Sequence, residues 1–125
     1  MKIAICSAGL SEFSITSIKL GKCPNFVIYN HEDLSFTTVE NKSRLDEHQN
    51  GPNAVRELKK LGVEAIITTN IGKNAFNQAR IMNIPVFKSD EGEIVRDVIY
   101  KYFKNELIQL EQFNKDSGIS TVSSR

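Results

Sequence analysis

Two cysteines stand where apolar runs give way to turns. Cys6 closes "KIAIC" just before "SAGLS", and Cys23 sits inside "LGKCPNFVIY", between Gly21 and Pro24. His48 follows in the polar stretch "ENKSRLDEHQNGPN". Thiolates and imidazole together suit a soft metal: zinc, copper, or iron in an iron-sulfur cluster. Cys6, Cys23 and His48 are therefore candidate metal ligands. No CxxC pair is present, and a closed four-ligand site would need a recruit such as Asp46 or His31, so an open or shared coordination sphere is expected. Each residue also has a bland explanation. Free Cys is among the most buried residue types, which suffices for Cys6, while Cys23, His31 and His48 lie in polar turns where solvation suffices. Only convergence in space decides between the two.

A second pattern is "NIGKNAF", residues 70–76. Gly72, Lys73 and Asn74 open a helix, so free backbone N–H groups, the positive end of the helix dipole and a cation coincide there and suit an anion. With Lys22 they form the candidate cofactor-binding set. The GxxxxGK[ST] pattern of a P-loop is absent, and the alternative is that Gly72 merely permits a tight strand-to-helix turn. Catalysis has little support. The chain has no GxSxG elbow, no HExxH helix and no carboxylate pair near a His; a Cys23–His48 thiolate and base pair is the one enzymatic possibility. A non-catalytic binding module is expected.

Composition limits the partners. The chain has 125 residues, 40% hydrophobic and 25% charged, with a net charge of +1, which fits one domain and gives no electrostatic case for nucleic acid or membrane. "MKIAICSAGL" is broken too early to be a secretory segment and no run is long enough to span a bilayer, so a cytoplasmic location, with both thiols reduced, is expected.

The elements must bring these residues together. Short strands are predicted at residues 2–6, 25–30 and 34–40, the last alternating Leu34, Phe36 and Thr38 inward, with a hairpin at "HED". A helix starts at Pro52, turns Ala54, Val55, Leu58 and Leu61 inward and stops at Gly62. "VEAIITT", residues 63–69, reads as a central parallel strand. A helix with Ala75, Phe76, Ala79 and Met82 inward follows, then a strand at 85–88. A third helix, opened by an Asp90–Glu93 capping box, is expected to run to about Leu110. Residues 1–110 form the expected domain and 111–125 a polar, flexible tail. The order βββαβαβα implies an α/β fold with a mixed sheet. An antiparallel pairing of the first two strands puts the ends of strands one, three and four, and the start of strand two, at one edge. The long loop from Ser7 to Pro24 also lies there.

"MKIAI", "LGKCPNFVIY", His48 ahead of a helix, "LKKLGVEAIITTNIGKNAF" and "IPVFKSDEGEIVRDVIYKY" together resemble the dinitrogenase iron-molybdenum cofactor biosynthesis family, the NifX, NafY and NifB C-terminal type of domain. The resemblance covers about residues 1–110 and is strongest at "IGKNAF", similar to that family's IGxNAF signature. It implies a ribonuclease H-like fold with a five-stranded mixed sheet. It also implies a module that binds, carries or inserts an iron-sulfur or iron-molybdenum type cluster between donor and acceptor proteins, as a monomer or weak homodimer. The family's His-Phe-Gly-Arg ahead of strand two is Lys19, Leu20, Gly21 and Lys22 here, so the imidazole expected at position 19 is replaced by an amine; Cys23, just beyond, could substitute as a soft ligand. A metal-free domain that binds a small anion or a protein partner is the alternative.

Overall fold

The computed structural model describes residues 1–111 and, by backbone alone, 122–124. Its elements in order are β1 (Lys2–Ser7), β2 (Asn25–Asn30), β3 (Ser35–Glu40), a 3-10 turn (Lys42–Leu45), α1 (Asn50–Lys60), β4 (Val63–Thr68), α2 (Lys73–Ile81), β5 (Val86–Lys88), α3 (Val95–Phe103), β6 (Ile108–Leu110) and β7 (Val122–Ser124). The fold is mixed α/β, and the strands lie in the order β3-β2-β1-β4-β5-β6-β7. β1 pairs parallel with β4, and β4 with β5, whereas β2 runs antiparallel to both its neighbours.

Strand periodicity divides the core into two layers. Ala4, Cys6, Phe26, Ile28, Ile66 and Val86 face α1 and α2, meeting Val55, Leu58, Phe76 and Ala79. Ile3, Ile5, Val27, Tyr29, Ala65, Ile67 and Phe87 face α3, meeting Val95, Val98, Ile99 and Tyr102. Along β4 the alternation slips once: a register shift between Lys2 and Ile3 leaves Glu64 exposed and sends Val63 to the first layer and Ala65 to the second.

Five expectations need correction. Leu61, expected on the inward stripe of the first helix, lies just past its end and is exposed. The sheet has more than five strands, because β6 adds to β5 and β7 to β6. The third helix stops at Phe103, well short of Leu110. Asn105 there has φ 60°, its N–H reaches Tyr102 O, and the Glu106 N–H reaches Lys101 O; this is a Schellman cap made by asparagine in place of glycine. Asp90 and Glu93 do not cap α3: the Glu93 carboxylate accepts from the Asp90 N–H inside the turn that precedes it. Leu34 does not point inward in a strand; it turns the hairpin with φ 59° and is exposed. Residues 112–121 and 125, most of the expected tail, lie outside the described residues. Among the described residues no helix is long and apolar enough to cross a membrane.

Candidate functional site

The pairing registers put the ends of β1, β3 and β4 and the start of β2 at one edge. Three connections meet there: residues 8–24, 41–49 and 69–72. The first is pinned to its neighbours by short hydrogen bonds. Leu20 N–H donates to Asn70 O at 2.9 Å, and the Thr69 hydroxyl lies 2.9 Å from both Ser17 O and Ile18 O. Thr16 holds the β5–α3 turn, its hydroxyl donating to Asp90 O at 2.7 Å and accepting from the Glu93 N–H at 3.1 Å.

Two glycines allow the segments to close. Gly21 has φ +100°, and a Cβ on it would stand 2.8 Å from backbone atoms of Gly51. A Cβ on Gly51 would stand 2.7 Å from the Ala75 Cβ. The 19–23 turn, the start of α1 and the start of α2 are thus stacked in van der Waals contact, and a side chain at either glycine would part them. Gly72 differs from expectation: its φ is −82°, which any residue adopts. Its lack of a side chain instead makes room for Lys19, whose Cε and Nζ lie 3.2 and 3.3 Å from where a Gly72 Cβ would be.

That places an ammonium at the N-terminus of α2, where no side chain caps the helix. The first-turn N–H groups of a helix have no acceptor within it and carry partial positive charge. Lys73 adds a second cation on the first helical residue, and Lys22 stands exposed on the adjoining turn. Among the described residues none of Lys19, Lys22 and Lys73 has a carboxylate within ion-pair distance. The start of α3 offers no such opening, because the N–H groups of Val95 and Arg96 already donate to Ser14 O and Glu12 O.

Beside this cluster a cleft of about 510 Å³ is lined by Ile18, Lys22, Arg44, Leu45, Asp46, Glu47 and Asn50. Ile18 and Leu45 are exposed large apolar side chains and give the cleft hydrophobic walls. Asp46 is a structural carboxylate: one oxygen accepts from the N–H groups of His48 and Gln49, each at 3.1 Å, and the other from Asn53 at 2.7 Å. The His48 and Gln49 amides, in that order, hold its carboxyl below the ordinary value of 3.8.

The structure brings two of the three expected metal ligands together. Cys6 and Cys23 meet side by side, with Thr68 next to Cys6, beneath the edge and fully enclosed. Burial first, and then the neighbouring thiol, pushes the Cys6 thiol well above its ordinary value, which favours its neutral form. Cys23 is no exposed turn thiol. Asn41 seals it from above, donating to Cys23 O at 2.9 Å. His48 stands exposed on the far loop, turned by the Asp46 cap. His31 lies at the opposite end of the strands, stacked on Phe103 with ring centroids 4.4 Å apart. Among the described residues no three His, Cys, Asp or Glu side chains are grouped to hold a metal ion. Lys19, which the sequence presents only as a departure from a pattern, is the residue that the reading of motifs passed over. Its partner Gly72 is more than fifty positions away, and no local signal joins them.

Residues 1–105 match the family described as dinitrogenase iron-molybdenum cofactor, and the chain belongs to that family. A protein from Thermotoga described as of NifB type and as belonging to the DUF35 family has an NMR structure with 30% identity and a TM-score of 0.80, covering 92% of this chain and 97% of its own. The apo form of the orange protein from Desulfovibrio gigas has a TM-score of 0.87 at 23% identity, covering 91% and 96% respectively. At that identity it shows a shared fold and no more. No curated protein matches the chain.

Proposed function

We propose that this member of the iron-molybdenum cofactor family is a non-catalytic carrier. In this reading it holds an anionic metallocluster, of iron-sulfur or iron-molybdenum type, or its precursor as cargo, and passes it between a donor and an acceptor protein. The observation that carries the proposal is the Lys19 ammonium set against the uncapped start of α2, with Lys22 and Lys73 beside it and, among the described residues, no carboxylate paired to any of them. Cations at a helix N-terminus repel its dipole, and an anion between them relieves that repulsion. Ile18 and Leu45 supply apolar walls suited to a polarisable sulfide surface. Holding the cargo by charge and N–H groups, without covalent ligands, fits a protein that must release it. Direct ligation by Cys6 and Cys23 would require the 19–23 turn to open. The order β3-β2-β1-β4-β5 with β2 antiparallel supports the family's ribonuclease H-like reading of the fold.

The test is anaerobic reconstitution of the apoprotein with iron and sulfide, with and without molybdate, followed by desalting, visible absorption and metal analysis. Retained cluster in the wild type, lost in Lys19→Glu and Lys73→Glu, is the expected result. Retention of molybdate or sulfate alone, with no cluster, would replace the carrier with a small-anion binding domain using the same cradle.

A further inference from the structure

Cys6 and Cys23 are the only cysteines of the chain, and they reach one another from elements that are held very differently. Cys6 belongs to β1, which runs between β2 and β4; it pairs with Phe26, and its carbonyl accepts from the Ser17 N–H at 3.0 Å. Cys23 lies outside the sheet. The last rung of the β1–β2 ladder is Ser7–Asn25, and Cys23 stands two residues before Asn25, on the turn that carries Lys19 and Lys22. That turn is closed on itself, because the N–H groups of Lys22 and Cys23 donate to Lys19 O at 3.0 and 3.2 Å. Both side chains enter the same core layer, beside Leu20, Phe26 and Ile71. Their thiols lie within hydrogen-bond reach of one another, and Asn41 Nδ2 is 4.0 Å from the Cys23 sulfur. Two facing thiols have no part in holding cargo by charge and N–H groups.

We propose that Cys6 and Cys23 are a reversible redox site, forming an intramolecular disulfide with a low-molecular-weight disulfide as the oxidant. Cys6 is 1% exposed and Cys23 is fully enclosed, so the oxidant gains access when the 19–23 turn lifts. Cys23 leaves with the turn, whereas Cys6 stays in β1, and this sets the order of attack. Cys23 gives its proton to solvent and its thiolate attacks one sulfur of the oxidant. The oxidant's S–S bond breaks, and its other half departs as a thiolate that takes up a proton. As the turn returns, Cys6 loses its proton and attacks the Cys23 sulfur of the mixed disulfide, expelling the second half as a thiol. Two protein thiols and one small disulfide thus become one protein disulfide and two small thiols, with no further co-reactant. The new bond ties the turn to β1 and restricts the unfolded chain. On the carrier reading, on which this consequence alone rests, oxidation fixes the backbone that presents Lys19 and Lys22 to the cargo.

The test equilibrates the full chain, without air, in mixtures of reduced and oxidised glutathione. Free thiols are counted in denaturant after an acid quench, alongside intact mass and peptide mapping. As the oxidised share rises, both thiols should disappear together. The mass should fall by two hydrogens with no glutathione retained, a Cys6–Cys23 peptide pair should appear, and the native circular dichroism should persist. Added reductant should restore both thiols, and the oxidised form should unfold at higher urea than the reduced one. Folded Cys6→Ser should trap glutathione on Cys23, while folded Cys23→Ser should leave Cys6 unmodified. Both thiols surviving excess oxidised glutathione in the native wild type overturns the proposal. So does a disulfide that forms only with loss of the native circular dichroism, or only between two chains. Molybdate bound by neither the reduced nor the oxidised form would count against the carrier reading and not against the disulfide, which is read from thiols and mass alone.

Discussion

The two ends of the parallel strands treat their charges in opposite ways. At the end where the helices finish, cations are matched to what faces them. The Met1 ammonium lies 3.7 Å from Glu32 and 3.9 Å from Glu64, Lys2 donates to Leu61 O, and Lys59 donates to Met82 O. Each lysine meets a helix C-terminus, the negative end of the dipole. At the end where α1 and α2 begin, Lys19 and Lys73 sit at the positive end of a dipole with no carboxylate in ion-pair distance among the described residues. The same residue type thus closes the fold at one end and leaves it unsatisfied at the other. On the proposed reading, an anion bound at that end would supply the balance.

The strongest way to break this contrast is through its glycines. Gly62, at the matched end, has φ +84° but only the flexible Lys2 side chain within 4 Å of its added Cβ. Gly62→Ala should cost about 1 kcal/mol, from backbone conformation alone. Gly21→Ala adds a collision with the Gly51 backbone to a comparable φ penalty, and should cost about 2–4 kcal/mol while abolishing cargo binding. Urea unfolding of the two variants measures the difference; equal costs would mean that the cradle end is not closely stacked.

Charge reversal comes next. Lys19→Glu and Lys73→Glu should each lower affinity for the reconstituted cluster, or for molybdate, by about 10–100-fold at low salt, and flatten its salt dependence. The corresponding reversal at the matched end, Lys59→Glu, should leave binding unchanged. Titration followed by absorption reads all three.

Cys6→Ser and Cys23→Ser should each destabilise by about 1–3 kcal/mol, because each puts a hydroxyl into the enclosed core. Cluster retained per folded molecule should stay at the wild-type level. Its selective loss in folded Cys23→Ser would restore the thiols as ligands.

The smallest effect concerns Asp46. Its carboxyl is held below 3.8, first by the His48 amide and then by that of Gln49. A folded value below the unfolded one means that its contribution is complete above about pH 4 and is lost as pH falls through the lowered value. Acid should therefore shift the His48 and Gln49 amide resonances before the sheet responds, and Asp46→Asn should remove that early step.

What could be read from residues alone follows from the range of each signal. Two-residue alternation and 3.6-residue periodicity are local, so β1 to β5 and the buried faces of α1 and α2 were legible, and strand direction then implied the shared edge and the meeting of Cys6 with Cys23. The end of α3 was missed because an asparagine, Asn105, adopts the left-handed cap usually signalled by glycine, and because three residues of β6 are too few to show alternation. In Asp90 and Glu93 the capping pattern was real as a hydrogen bond, but it closes a turn. His48 matched a family position, yet its placement depends on how Asp46 folds the loop. Lys19 was visible only as a mismatch, since its meaning comes from a contact with Gly72 that no window of sequence contains.

That contact has a consequence for the order of events in the cell. Lys19 and Gly72 lie on opposite sides of the parallel β1–β4 pairing, which joins residues about sixty positions apart, whereas the β2–β3 hairpin closes locally. Long loop closure is slow, so parallel strands pair late. Until β1 and β4 are joined there is no cradle, and a nascent or misfolded chain has nothing with which to hold an anion. On the proposed carrier reading, binding of cargo would then report completed folding. Cargo at a hundred times its dissociation constant would add about 2.7 kcal/mol to the stability of the native state alone. Loaded protein should outlast empty protein under proteolysis, and delivery of the cargo would return the chain to its shorter lifetime.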